Sequence, residues 1–214
     1  MKSSGKTAFP LILIAGLLMF VPMFIMRQAG PVDFWWWMSI NLTLLISAGL
    51  LTDSAFFPHL REDFHSRFLQ KVLYGGLTAA LLYFIFLLGG YLSGLMFHFA
   101  GEQINGVYGF RGNASSYRIF ILMLLVIGPG EELFWRVYVQ RNLEERFSPV
   151  AGYLLATVLY TGIHILTGNF MLIMAALVAG AFWGYLYYRY RSPLLNIISH
   201  IIWDISVFLI FPLN

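Results

Sequence analysis

The chain has 214 residues, 59% of them hydrophobic and only 11% charged, and its mean hydropathy is +0.75. Soluble domains carry roughly 25% charged residues, so a water-soluble globule is excluded. The formal charge of +3 is small, and its Lys and Arg fall in short segments between apolar runs rather than in one basic stripe; the expected partner is therefore a lipid bilayer and not nucleic acid. With no cysteine, disulfide frameworks and thiolate chemistry are excluded as well.

Seven stretches approach the roughly 20 apolar residues that a bilayer core requires. They run from about Phe9 to Met26, Phe34 to Leu51, Val72 to Phe99, Tyr117 to Val139, Val150 to Leu166, Phe170 to Tyr188 and Pro193 to Phe211. A barrel would need alternating apolar and polar residues, and runs such as Leu11 to Phe20 lack that alternation. The expected fold is all-α: a polytopic transmembrane bundle of about seven spans in a single membrane domain, 1–214, with N-terminal spans over 1–116 and a core over 117–214. The third stretch is long enough to tilt, or to leave the membrane near Gly89, Gly90 and Gly94.

Lys2 and Lys6 precede an apolar run longer than a usual signal-peptide core with no clear cleavage site, so the first span is expected to be retained. Counting Lys and Arg in alternate connections then puts Lys2, Lys6, Arg61, Arg67, Lys71, Arg141, Arg146, Arg189 and Arg191 on one side and only Arg27, Arg111 and Arg118 on the other. The N-terminus is expected in the cytoplasm and the C-terminus outside, in a prokaryotic plasma membrane. Between the second and third spans, Leu60, Phe64 and Phe68 recur at helical spacing opposite Arg61, Glu62, Arg67 and Lys71. This pattern fits an interfacial helix, or equally a cytoplasmic extension of the third span. Trp35, Trp36 and Trp37 fit an outer aromatic belt, and Tyr185, Tyr187, Tyr188 and Tyr190 an inner one. Ala176, Gly180 and Gly184 form a small-residue stripe for close helix packing.

An ionisable side chain in a span costs about 2.5 to 3.5 kcal/mol on insertion scales and therefore needs compensation or a use. The fourth span reads Gly128-Pro129-Gly130-Glu131-Glu132-Leu133-Phe134-Trp135-Arg136, the fifth contains Tyr160 and His164, and the seventh contains His200 and Asp204. Glu132 and Arg136, Tyr160 and His164, and His200 and Asp204 are each four apart, so each pair stacks on one side of its helix. At 1.5 Å per residue from the inner boundary, Glu131 sits roughly 15 Å deep, His164 roughly 21 Å, His200 roughly 10 Å and Asp204 roughly 16 Å. The three faces are thus expected to meet in one pocket near midplane. A carboxylate and two imidazoles supply the parts for amide hydrolysis: a base for water, a group to align it, and donors for the oxyanion. Arg136 is expected to neutralise Glu132, leaving Glu131 as the reactive carboxylate, while Pro129 and its flanking glycines kink or break the helix and open a path for water. Glu131, His164 and His200 are also an acceptable zinc set with one open position, although HExxH is missing. Chemistry without a cofactor is the first reading and zinc the alternative. Ser199 and Ser206 are weaker candidates as nucleophiles, and Asn41 and Asn196 are expected to make interhelical hydrogen bonds.

At these residues the chain resembles the CAAX protease and bacteriocin-processing family of intramembrane peptidases, the Abi and Ras-converting type. That family's hallmarks are EExxxR, an aromatic four residues before a histidine, and HxxxN or HxxxD. Here they stand in order as Glu131-Glu132 with Arg136, Tyr160 with His164, and His200 with Asp204, over about 75 residues of the C-terminal half. The resemblance implies that Glu131 and His164 activate water, that His200 and Asp204 support the oxyanion, and that Glu132 and Arg136 hold the site together. The implied substrate is a membrane-associated protein or peptide cut near its terminus. Tyr160 replaces the commoner phenylalanine. Asp204 stands where prenyl-protein-processing relatives carry asparagine, and an ionised aspartate would repel an oxyanion, so it must be protonated or act through His200. A non-catalytic scaffold or immunity protein of the same fold, and a transporter using the Glu and His groups as a proton relay, remain as alternatives.

Overall fold

The computed structural model describes residues 4–213; Lys2 lies outside the described residues, as does the side chain of Lys6. Helix α1 (Ser4–Met26) ends where Arg27 takes a left-handed φ of 58°. A two-residue hairpin, β1 (Gln28–Ala29) with β2 (Val32–Asp33), pairs antiparallel with Gln28 opposite Asp33. Asp33 then caps α2 (Phe34–Thr52) by accepting the Trp36 N–H at 3.1 Å. Helix α3 (Phe56–His65) is separated from the long α4 (Phe68–Met96) by Arg67 at φ 50°, so the segment between spans two and three is a helix of its own and not an extension of α4. Helix α5 (Ala100–Tyr108) follows. Residues 116–146 form one unbroken helix, α6, with wide π-helical stretches at Met123–Ile127 and Glu132–Gln140. Ser148, Asn169 and Ser192 each cap the helix that follows: α7 (Pro149–Gly162), α8 (Phe170–Tyr190) and α9 (Pro193–Ile205).

Six helices among the described residues are long and apolar enough to cross a membrane: Ala8–Met26, Phe34–Thr52, Phe68–Met96, Pro149–Thr167, Phe170–Tyr190 and Pro193–Ile210. The chain is an all-α, multi-pass membrane protein. Helix α6 is about 45 Å long at ~1.5 Å per residue but carries Glu131, Glu132 and Arg136 midway. Its faces meet α2, α7, α8 and α9.

Pro129 and its glycines do not break this helix. The backbone absorbs the lost hydrogen bond in wider turns, a known habit of helices at functional sites. The glycines serve packing: a Cβ on Gly128 would come within 2.7 Å of the Ile201 side chain, and one on Gly130 within 3.1 Å of Leu42. The small-residue stripe works inside the bundle in the same way, since Gly180 and Gly184 receive the rings of Tyr160 and Tyr153 from α7.

Contacts between helix ends gather the basic residues of the sequence as expected. Arg141 pairs with Asp53, Arg191 with Glu144 and Lys71 with Asp63 at one end. At the other end Arg118 pairs with Asp33, and Arg27 lies 4.3 Å from the Phe110 ring centroid. Two belt assignments are corrected. Trp35 turns inward against Phe34 and Phe208 while Trp36 stays exposed, and Tyr187 is fully buried, its hydroxyl 3.2 Å from His59 Nε2. Apolar contact area within the bundle outweighs the interfacial preference at those positions. His59 therefore has a protein partner, and burial together with Arg141 pushes its pKa below the ordinary histidine value. Asn41 bridges α2 to α1 through the Met19 carbonyl at 2.9 Å.

Helices α6 and α7 approach closely at Gly152. A Cβ on Gly152 would overlap the backbone of Glu144, which cannot rotate away. Gly152→Ala should destabilise the chain by about 1–3 kcal/mol, read as a lower unfolding midpoint in detergent.

Candidate active site

Glu131 and Glu132 are adjacent on α6, about 100° apart around the helix, and this offset gives them different surroundings. Glu132 points into the protein and is fully buried. Its Oε1 lies 2.8 Å from His200 Nδ1, its Oε2 accepts from Asn196 Nδ2 at 2.8 Å, and Arg136 Nε stands 3.4 Å from the same oxygen. The Arg136 guanidinium is itself 5.2 Å from the centroid of the Tyr160 ring. Asn196 also donates to the Trp183 carbonyl at 2.8 Å, so one amide ties α6, α8 and α9 together.

Glu131 points the other way, half-buried, into a cavity of about 580 Å³ that Tyr160, His164, His200 and Asp204 also line. The three spans therefore deliver their polar faces to one space. Tyr160 donates its hydroxyl to Glu131 Oε2 at 3.0 Å. His164 Nδ1 is 2.9 Å from the Tyr160 carbonyl; a carbonyl only accepts, so Nδ1 carries the proton and Nε2 is left as a lone-pair acceptor. The imidazole is held from behind by the Phe24 ring, centroids 4.4 Å apart. His200 has Glu132 on Nδ1 and Asp204 Oδ2 3.5 Å from Nε2. Asp204 is thus placed beside His200. The rest of the cavity wall is largely apolar, including Phe86, Gly89, Gly90 and Met96 of α4, Phe97 just beyond it, and Phe170, Met171 and Met174 of α8. Helix α4 is continuous through Gly89, Gly90 and Gly94, and the first two border this space.

Residues 113–206 match a family model described as Type II CAAX prenyl endopeptidase Rce1-like. This segment is similar to the Rce1-like family. It contains Glu131, Glu132, Arg136, Tyr160, His164, His200 and Asp204, and the match supports a CAAX-type intramembrane endopeptidase in general. No curated protein and no solved structure matches the chain.

Several residues of the Rce1-like segment that shape the site gave no motif signal. The Trp183 indole stacks on His200, centroids 3.7 Å apart at 15°, and its Nε1–H goes to Ser199 Oγ at 3.2 Å; Ser206 donates to the Ile202 carbonyl. Ser199 thus accepts a bond from another helix, and Ser206 makes a local one. Tyr160 is more than a tolerated replacement for phenylalanine, because its hydroxyl reaches Glu131. Glu131, His164 and His200, the alternative zinc set, line the same cavity, while among the described residues no group of three or more His, Cys, Asp or Glu is arranged to hold a metal ion. Both nitrogens of His200 face carboxylates, and one nitrogen of His164 faces a carbonyl.

The two glutamates should separate in stability. Glu132→Leu strands Arg136 without its counter-charge, a loss of about 3–5 kcal/mol, whereas Glu131→Gln keeps an acceptor for Tyr160 and should leave the unfolding midpoint near the parent's. Parallel thermal denaturation of the two variants in one detergent reads the difference.

Proposed function

We propose that this protein is an intramembrane endopeptidase that hydrolyses a peptide bond near the terminus of a membrane-associated protein or peptide, using water activated by Glu131 without a metal. The observation that carries the reading is the shared cavity, in which Glu131, His164 and His200 converge from three helices. A water between Glu131 and His164 Nε2 meets two acceptors. It directs both hydrogens to them and its lone pair to the scissile carbonyl. Glu131 takes one proton as the oxygen adds to the carbonyl carbon. The His200 ring, stacked on Trp183 and held between Glu132 at Nδ1 and Asp204 at Nε2, carries both protons and supports the oxyanion through its positive charge. As the C–N bond breaks, Glu131 returns its proton to the leaving amine. Tyr160 fixes the Glu131 carboxylate, leaving its second oxygen for the water.

The division of the chain follows from this reading. Residues 117–214 form the catalytic core, and 1–116 supply spans that enclose the cavity, since Phe24, Trp35, Met38 and Gly89 line it. The gathering of Arg141, Arg191 and Lys71 at the end where α1 begins supports a cytoplasmic N-terminus, and the compact chain with short connections supports a prokaryotic plasma membrane.

Glu131→Gln should lower turnover by at least about 10²-fold at unchanged folding, measured by terminal peptide mapping of membranes that carry parent or variant; normal turnover by Glu131→Gln rejects the mechanism, whereas the absence of any cleavage that depends on the parent favours the scaffold alternative. Tyr160→Phe, which restores the commoner residue, should reduce kcat by several-fold, about 1 kcal/mol for one lost hydrogen bond. Cleavage should survive chelators, with elemental analysis excluding tightly held metal; inhibition by chelators that added zinc reverses favours the metal alternative.

A further inference from the structure

Helix α9, which carries Asn196, His200 and Asp204, starts inside the protein. A helix start leaves four backbone N–H groups without intrahelical partners, and here Ser192 and Leu194 are both buried. Ser192 Oγ accepts the Leu195 N–H at 3.2 Å in the usual capping manner. The next acceptor comes from far away in the chain. Asp63 of α3 accepts the Leu194 N–H at 2.8 Å and the Ser192 hydroxyl at 3.0 Å, both on Oδ2. Its Oδ1 is paired with Lys71 at the foot of α4, which also donates to Ser66 Oγ at 2.9 Å. One carboxylate thus joins α3, α4 and α9. Its charge complements the positive end of the α9 dipole.

The joint is placed where it controls the site. His200 lies under two helical turns beyond Leu194, about 9 Å along the axis, and α9 is rigid over that distance. Sliding or rotating α9 by a fraction of an ångström changes the distances from His200 to Glu132 and Asp204 together. Along the contact with α4, Gly75 stands within 2.8 Å of the Ile198 side chain once a Cβ is added, so the two helices touch closely but apolar contact alone sets no axial stop. Hydrogen bonds to Leu194 and Ser192 do.

We propose that Asp63 is a positioning residue for His200: through it, α3 and the foot of α4 hold α9 at the axial register that aims His200 into the cavity. This gives residues 1–116 a role in catalysis beyond lining the cavity, and it rests on the peptidase reading above. Asp63 touches no reacting atom.

The test uses the full chain in detergent or nanodiscs, with Asp63→Ala, Asp63→Asn and Ser192→Ala beside the parent. Asp63→Ala should lower kcat about 10- to 100-fold with KM little changed, as expected for a small misplacement away from the substrate-binding walls. It should also speed amide exchange at Leu194, Leu195 and Asn196. Asp63→Asn retains an acceptor for Leu194 and Ser192 but loses the charge paired with Lys71, and should recover most of kcat. Ser192→Ala, which removes one of the two links, should fall between, and it carries the test if Asp63→Ala fails to fold. Parental kcat and parental exchange in Asp63→Ala, or in Ser192→Ala where that variant stands in, overturn the proposal. So does a loss of kcat that Asp63→Asn does not rescue. Amide exchange needs no substrate, so it decides the positioning of α9 even if Glu131→Gln leaves cleavage intact.

Discussion

A carboxylate inside a bundle surrounded by lipid carries an insertion cost of roughly 2.5 to 3.5 kcal/mol, and Glu132 is fully buried. The compensation it requires dictates much of the interior. Arg136 neutralises it one turn along its own helix, and Asn196 and His200 reach it from α9. Each partner is then fixed in turn: Asn196 by the Trp183 carbonyl, His200 by the Trp183 ring, Arg136 by the face of Tyr160. Removing any one of these would leave another buried polar group exposed to a low dielectric. The network is therefore conformationally specific, and it lies immediately behind the cavity.

That arrangement separates two tasks that neighbouring carboxylates would otherwise confuse. Glu132 is saturated with partners and faces protein; Glu131 has the Tyr160 hydroxyl and faces open space. The π-helical run that starts at Glu132 and continues to Gln140 widens the helix on the side where the network sits. The result is a braced histidine and a free base a short distance apart, in an apolar surround that strengthens every polar contact.

The sequence already pointed to the side chains that share the cavity, because helical spacing and depth are local arithmetic. Glu131, His164, His200 and Asp204 fall on inward faces in the chain itself, and so did the gathering of basic residues at one end. What escaped was the pairing between distant spans. Nothing in the periodicity of α8 says that Trp183 will lie flat on an imidazole, or that Tyr160 will reach a glutamate rather than merely fill space. Asp63 gave no signal within the segment between spans two and three, although its bonds go to a helix 131 positions further on. Gly128 and Gly130 read as breakers because sequence reports their freedom and not the neighbour that needs the room.

The polarity of α6 also bears on how the protein is made. This helix is absent from the six that are long and apolar enough to cross a membrane, and its charges find their counterparts late: His200 is 68 positions downstream of Glu132. While the ribosome is still adding α7 and α8, only Arg136 is available to shield Glu132. Glu132 therefore gains its full set of partners only once the last helix is in place, and a chain truncated before α9 lacks two of the three groups that hold this carboxylate.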